Sequence, residues 1–142
     1  MTDHSDARDD LAVAEAKIDA LRQRAKHAPG RFWTLNGMLA AWRELADEIE
    51  SGYRLTVYDY TNDLCVRNLL VEVLAVIPTG EVRSRVEREI EEGDLRYKAV
   101  THPVARQIHG GPDAPWWFFR APNLIVGELA EDLGPEGDLH RP

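Results

Sequence analysis

The chain has 142 residues, 44% hydrophobic and 30% charged, which is a globular composition long enough to bury one core without disulfides or metal. Its formal charge of -8 argues against non-specific binding to nucleic acid or to an anionic membrane, both of which need a cationic face. The one cysteine, Cys65, excludes an intrachain disulfide and any zinc site built on two or more cysteines.

Residues 1–4 read as a disordered tail. The acidic N-terminus, MTDHSDARDD, has no apolar stretch, so no secretory signal is expected. The longest apolar run is about half of the roughly 20 residues a membrane span requires. A soluble, cytoplasmic protein is expected. A first helix is expected over 5–28, capped by Ser5 or Asp6, with Asp9 and Asp10 in its first turn. Leu11, Ala14, Ile18, Leu21 and Ala25 form one narrow stripe, as on a bundle helix or a short coiled coil. That stripe either packs on the domain or pairs with a second copy as a homodimer. Pro29 and Gly30 end the helix.

Thr34 or Asn36 caps a second helix. Met38, Trp42, Leu45 and Ile49 form its inner face, widened by Leu39 and Ala46. Gly52 stands where a left-handed C-terminal cap belongs, with Tyr53 closing it.

The stretch Leu55–Ile77 carries the clearest helix start. Thr56 is the cap, Asp59 puts negative charge in the first turn, and Leu55 and Tyr60 have the spacing of a hydrophobic staple. Beyond Asn68 only Glu72 is charged, and a helix apolar nearly all round is a buried one. Pro78 and Gly80 end it. The competing reading is a strand at 69–77, with another at 53–58.

Thr79 starts a fourth helix with Val82, Val86, Ile90 and Tyr97 inward and charge elsewhere. Arg85 with Glu89 and Arg88 with Glu92 have i,i+4 spacing. Gly93 is expected to kink or split this helix, which closes at Thr101 and Pro103. A Gly- and Pro-rich loop then leads into Trp116-Trp117-Phe118-Phe119-Arg120-Ala121-Pro122. Flanking prolines favour an extended path, which sends Trp116 and Phe118 one way and Trp117 and Phe119 the other. A short helical turn is expected at 124–133, and residues 134–142 read as a disordered acidic tail.

These elements predict an all-α fold, a bundle of about four helices with a C-terminal extended aromatic strap. The single domain covers 5–133, with the first helix free to stand off it. A small α/β fold is the alternative, disfavoured because two strands rarely make a sheet.

The sequence holds no P-loop, GxGxxG, HExxH, GxSxG or EF-hand loop. Its most chemical grouping is Tyr58, Asn62, Asp63 and Arg67, spaced one turn apart in the first half of the third helix. As a polar pocket, it would use Arg67 to hold an anion and Asp63 as a base. As a structural network, it would pair Asp63 with Arg67 and bond Asn62 to a loop. Cys65 reads as a small buried hydrophobe. His102 and His109 with Asp113 match no standard ligand pattern, so no metal and no cofactor is expected. Trp116, Trp117, Phe118, Phe119 and Arg120 are either a core-completing strap or an exposed contact surface.

The expectation is therefore a non-catalytic interaction or regulatory protein with a protein partner, for which the negative charge allows a basic one. An inhibitor of a basic enzyme, in the manner of immunity proteins and antitoxins, is a narrower form of that reading. An enzyme or small-ligand binder built on the polar group is the alternative. Nucleic acid and membrane are not expected partners.

Overall fold

The computed structural model describes residues 4–25, 33–52, 57–105, 107–108 and 113–124, the side chains of 4–6 and 57–59 excepted. The fold is all-α. Among the described residues, it has four helices: α1 (His4–Arg24), α2 (Leu35–Glu50), α3 (Val57–Val76) and α4 (Glu81–Val100). A two-stranded sheet of β1 (Thr101–Pro103) and β2 (Arg120–Pro122) follows, with a 3-10 turn at Trp116–Phe119 before β2. The 69–77 segment is helical to Val76, which removes the strand read there. Thr56, Leu55, Tyr53 and the expected segments at 125–133 and 134–142 lie outside the described residues. No described helix is long and apolar enough to cross a membrane.

The chain sorts into two compact units. The first takes residues 1–42 and 66–93, and the second takes 43–65 and 94–142. In the first unit α1 buries Ala14, Ile18 and Leu21, three positions of the predicted stripe, in this chain's own core. Side chains meet three of the helix ends of this unit. The Thr34 hydroxyl accepts a bond from Gly37 N at 2.9 Å and so caps α2. From α1, the Glu15 carboxylate accepts from Leu35 N at 3.2 Å, a second bond at the same helix start. The Asp10 carboxylate lies against Gly80 at the start of α4, where a Cβ would meet it at 3.4 Å. Arg83 donates to the carbonyls of Leu74 and Ile77 at 2.8 Å each and so closes the C-terminal end of α3. Arg85 and Glu89 form the predicted i,i+4 pair at 3.8 Å.

Gly93 neither kinks nor splits α4, which runs unbroken to Val100. Its reason is steric: the Trp42 indole packs onto the bare Cα, and a Cβ there would fall 2.8 Å from Nε1.

In the second unit Gly52 has φ 100, the left-handed cap expected after α2. The strands pair antiparallel, with Thr101 opposite Pro122, His102 opposite Ala121 and Pro103 opposite Arg120. The ladder continues through Val104 N to Phe119 O at 2.8 Å and Ile108 N to Phe118 O at 2.7 Å.

The burial of α3 changes face along its length. Tyr60, Thr61 and Leu64 are buried in its first half; Val66, Leu70 and Val73 are buried in its second. From Leu64 to Val66 the buried stripe moves roughly 200° round the helix, at about 100° per residue. The helix that reads as apolar all round is therefore buried on one stripe in its first half and on another in its second, and Val71 and Val76 are left exposed.

A strap held by two tyrosines and its outer surface

The aromatic run is not extended, as its flanking prolines suggested. Phe118 N bonds back to Pro115 O at 3.0 Å and closes a 3-10 turn over Trp116–Phe119. Pro115, at φ -59, is already set for that turn. Three residues per turn replace the alternation of two. Trp117 and Phe118 point inward and are buried, while Trp116 and Phe119 are half-buried. Sequence spacing alone paired them differently.

Polar anchors hold this turn to the helices. Tyr97 of α4 donates its hydroxyl to Trp117 O at 2.8 Å. The hydroxyls of Tyr60 and Tyr97 are 2.9 Å apart, and since the Tyr97 proton is given to Trp117, Tyr60 is the donor between them. Burial pushes the Tyr97 phenol well above its ordinary pKa, only partly offset by the bond from Tyr60 and the charge of Arg120. It stays protonated and stays a donor. Arg120 turns inward too. It donates from Nε to Thr101 Oγ1 at 2.8 Å, and from Nη2 to the carbonyls of Thr101 at 3.0 Å and Lys98 at 3.2 Å. The guanidinium thus caps the end of α4.

The outer surface lies on α4 and Trp116. The Lys98 ammonium sits 4.5 Å over the Trp116 ring. Behind it Trp116 meets Tyr97 at 6.0 Å and, edge-on, Trp117 at 5.6 Å. One turn before Lys98 stands Leu95, 61% exposed. The only sequence signal for Leu95 was its place off the inward stripe of α4, an apolar residue among charges.

The other singled-out residues lie elsewhere. Asn62 and Asp63 are exposed in the second unit, Arg67 is half-buried in the first, and Tyr58 is helical with its side chain outside the described set. Asp63 acts electrostatically on two neighbours. Burial and then the Asp63 charge raise the pKa of Glu48 on α2, and the same two causes raise that of the half-buried Cys65 thiol. His102 shares a 2.9 Å hydrogen bond between Nδ1 and Asn123 Oδ1, Asp113 is exposed, and His109 lies outside the described residues. Among the described residues no three His, Cys, Asp or Glu side chains are grouped to hold a metal. A depression of about 100 Å³ is lined by Ala46, Asp47, Glu50, Arg96, Ala99 and Val100, and the Arg96–Asp47 ion pair spans it. Ligand pockets are usually several times larger, roughly 300–1,000 Å³.

Comparison with known proteins gives no match: no family model, no curated protein and no solved structure resembles this chain.

Proposed function

We propose that the chain is a non-catalytic protein-interaction module that contacts its partner through Leu95, Lys98 and Trp116. The observation that carries this reading is Leu95, exposed at 61% one turn from a lysine stacked on a half-buried tryptophan. Tryptophan is enriched at the energetic centres of interfaces, and an exposed leucine beside it adds apolar area. The backing is stiff. Trp117, Phe118 and Arg120 support the surface from within, so little conformational entropy is lost when a partner binds. The formal charge of -8 favours a basic partner at long range, and an inhibitor of a basic enzyme fits the same charge.

The test is affinity capture from host extract with the wild-type chain and with Leu95→Glu and Trp116→Ala. The expected result is a stoichiometric protein partner held by the wild type and lost from both variants, with melting temperatures within about 2 °C of each other. A partner retained by both variants overturns the assignment of the surface. A small molecule recovered in place of any protein overturns the function.

A further inference from the structure

Helix α1 uses one side on its own chain. Ala14, Ile18 and Leu21 are buried, so the stripe that the sequence offers for pairing with a second copy is taken up inside the first unit. The opposite side is left over, and it is not a charged one. Asp9, Val13, Ala16, Ala20 and Arg24 follow at spacings of four, three, four and four and so share a face, and all five are exposed. The three middle positions are apolar.

Helix α3 extends this face. Arg24 pairs with Glu72 at 3.4 Å, and Asp10 lies against Gly80, just beyond the end of α3. Helix α1 therefore runs antiparallel along the second half of α3. Asp10, Val13, Ala20 and Arg24 lie on the side of α1 that makes these two contacts, which places Val13 and Ala20 alongside Val76. Val13 is 40% exposed, Val76 38% and Val71, further round α3, 46%. Single exposed apolar side chains need no explanation, but apolar side chains gathered on one outer face mark an interaction surface.

Charge selects the occupant. The chain carries -8, yet α1 holds five acidic and four basic residues, and 66–77 holds one of each, Glu72 and Arg67. The face is nearly neutral on an acidic protein, so it is where two copies meet with least repulsion. It is also complementary to itself. Turned end over end about the midpoint between Ala16 and Lys17, a second α1 brings its Arg24 opposite Asp9 and its Ala20 opposite Val13. A two-fold axis makes each pairing twice, as a closed dimer contact requires. The small side chains at 16 and 20 let the two helices come close.

We infer that the chain forms a two-fold homodimer in which α1 packs antiparallel on α1 of the second copy, covering Val76 of α3. This contact is separate from the surface at Leu95, which belongs to the second unit.

The inference is tested by sedimentation equilibrium on the full chain, from about 1 μM to about 200 μM, because dimer mass depends on concentration. The wild type and Leu95→Glu are expected to approach twice the 16.1 kDa chain mass as concentration rises. Ala16→Glu is expected to stay at the chain mass with unchanged helical circular dichroism, since position 16 is exposed in the single chain. Asp9→Arg sets like charges opposite each other twice and is expected to weaken the dimer at least threefold. Orientation is read by disulfide trapping in a Cys65→Ser chain. Ala16→Cys is expected to link two copies, whereas Gln23→Cys is not, because antiparallel packing sets the two positions 23 about 20 Å apart along the axis. A wild type that stays at the chain mass throughout overturns the inference. So does a dimer that survives Ala16→Glu, one that Asp9→Arg leaves unchanged, one that Leu95→Glu abolishes, or one that Gln23→Cys links as readily as Ala16→Cys.

Discussion

The hydroxyls of Tyr60 and Tyr97 meet 2.9 Å apart in the interior of the second unit; the Tyr97 hydroxyl goes on to the strap backbone at Trp117 O, 2.8 Å away, and the Tyr60 hydroxyl approaches Arg120 O at the longer distance of 3.5 Å. The two tyrosines are therefore unequal. Tyr60→Phe removes one donor and leaves the Tyr97 bond to Trp117 intact. Tyr97→Phe takes away both the acceptor 2.9 Å from the Tyr60 hydroxyl and the donor 2.8 Å from the Trp117 carbonyl. The expected losses of stability are about 1 kcal/mol for Tyr60→Phe and about 2–3 kcal/mol for Tyr97→Phe. Urea unfolding of both variants checks the order; equal losses would place the anchor elsewhere.

Gly93→Ala tests why α4 carries a glycine. On intrinsic propensity alone alanine would stabilise a helix interior by about 1 kcal/mol. The Trp42 indole occupies the space of the new methyl, so the expected outcome is a net loss of about 1–3 kcal/mol. Trp42→Leu in the same chain should relieve part of that loss. A double-mutant cycle reads this as a coupling, and a coupling near zero would mean that the two residues do not press on each other.

Glu48 links stability to pH. Its folded pKa is raised above the ordinary 4.5 by burial and by Asp63, so the folded state binds this proton more tightly than the unfolded one. Its contribution is favourable while the carboxyl stays protonated, and it is lost as pH rises from about 4.5 through the folded value. Glu48→Gln should therefore stabilise the chain at pH 7, by roughly a few tenths of a kcal/mol given the exposure of the group. The gain should vanish below pH 4, which unfolding curves at the two pH values would show.

Cys65 should be a slow nucleophile. Burial and the Asp63 charge raise the thiol pKa, which lowers the thiolate fraction at neutral pH. Reaction with a disulfide reagent at pH 7 is expected to be at least tenfold slower in the native chain than in 8 M urea. Asp63→Asn should speed the native reaction by removing one of the two causes. A native rate equal to the urea rate would show the thiol to be neither shielded nor shifted.

The four helices and most of their ends were legible because local chemistry writes them. Thr34 and Gly52 cap by their own side chain or backbone freedom, and the inward stripes of α2 and α4 keep a single phase from end to end. Three features were not legible. The glycine at 93 answers to Trp42, which lies far away in sequence. The turn at 116–119 depends on a bond from Phe118 N to Pro115 O, which a rule for the residue before proline does not anticipate. The surface at Leu95 and Lys98 is completed by Trp116 because the strap returns to α4, through the long-range pairing of β1 with β2 and the bonds of Tyr97 and Arg120. Of the residues singled out along the strap, Trp116 faces outward with α4, whereas Trp117, Phe118 and Arg120 serve the interior.

The change of face in α3 makes its length a fixed quantity. In an ordinary surface helix a one-residue insertion is often absorbed by a nearby loop. Here, an insertion between Leu64 and Val66 would turn one buried stripe by about 100° against the other, and no loop separates them to take up the twist. Substitutions at Cys65 should be tolerated far better than a change of spacing there. Across related chains, gaps should gather in the segments before α2, before α3 and after β1, and be missing from the middle of α3.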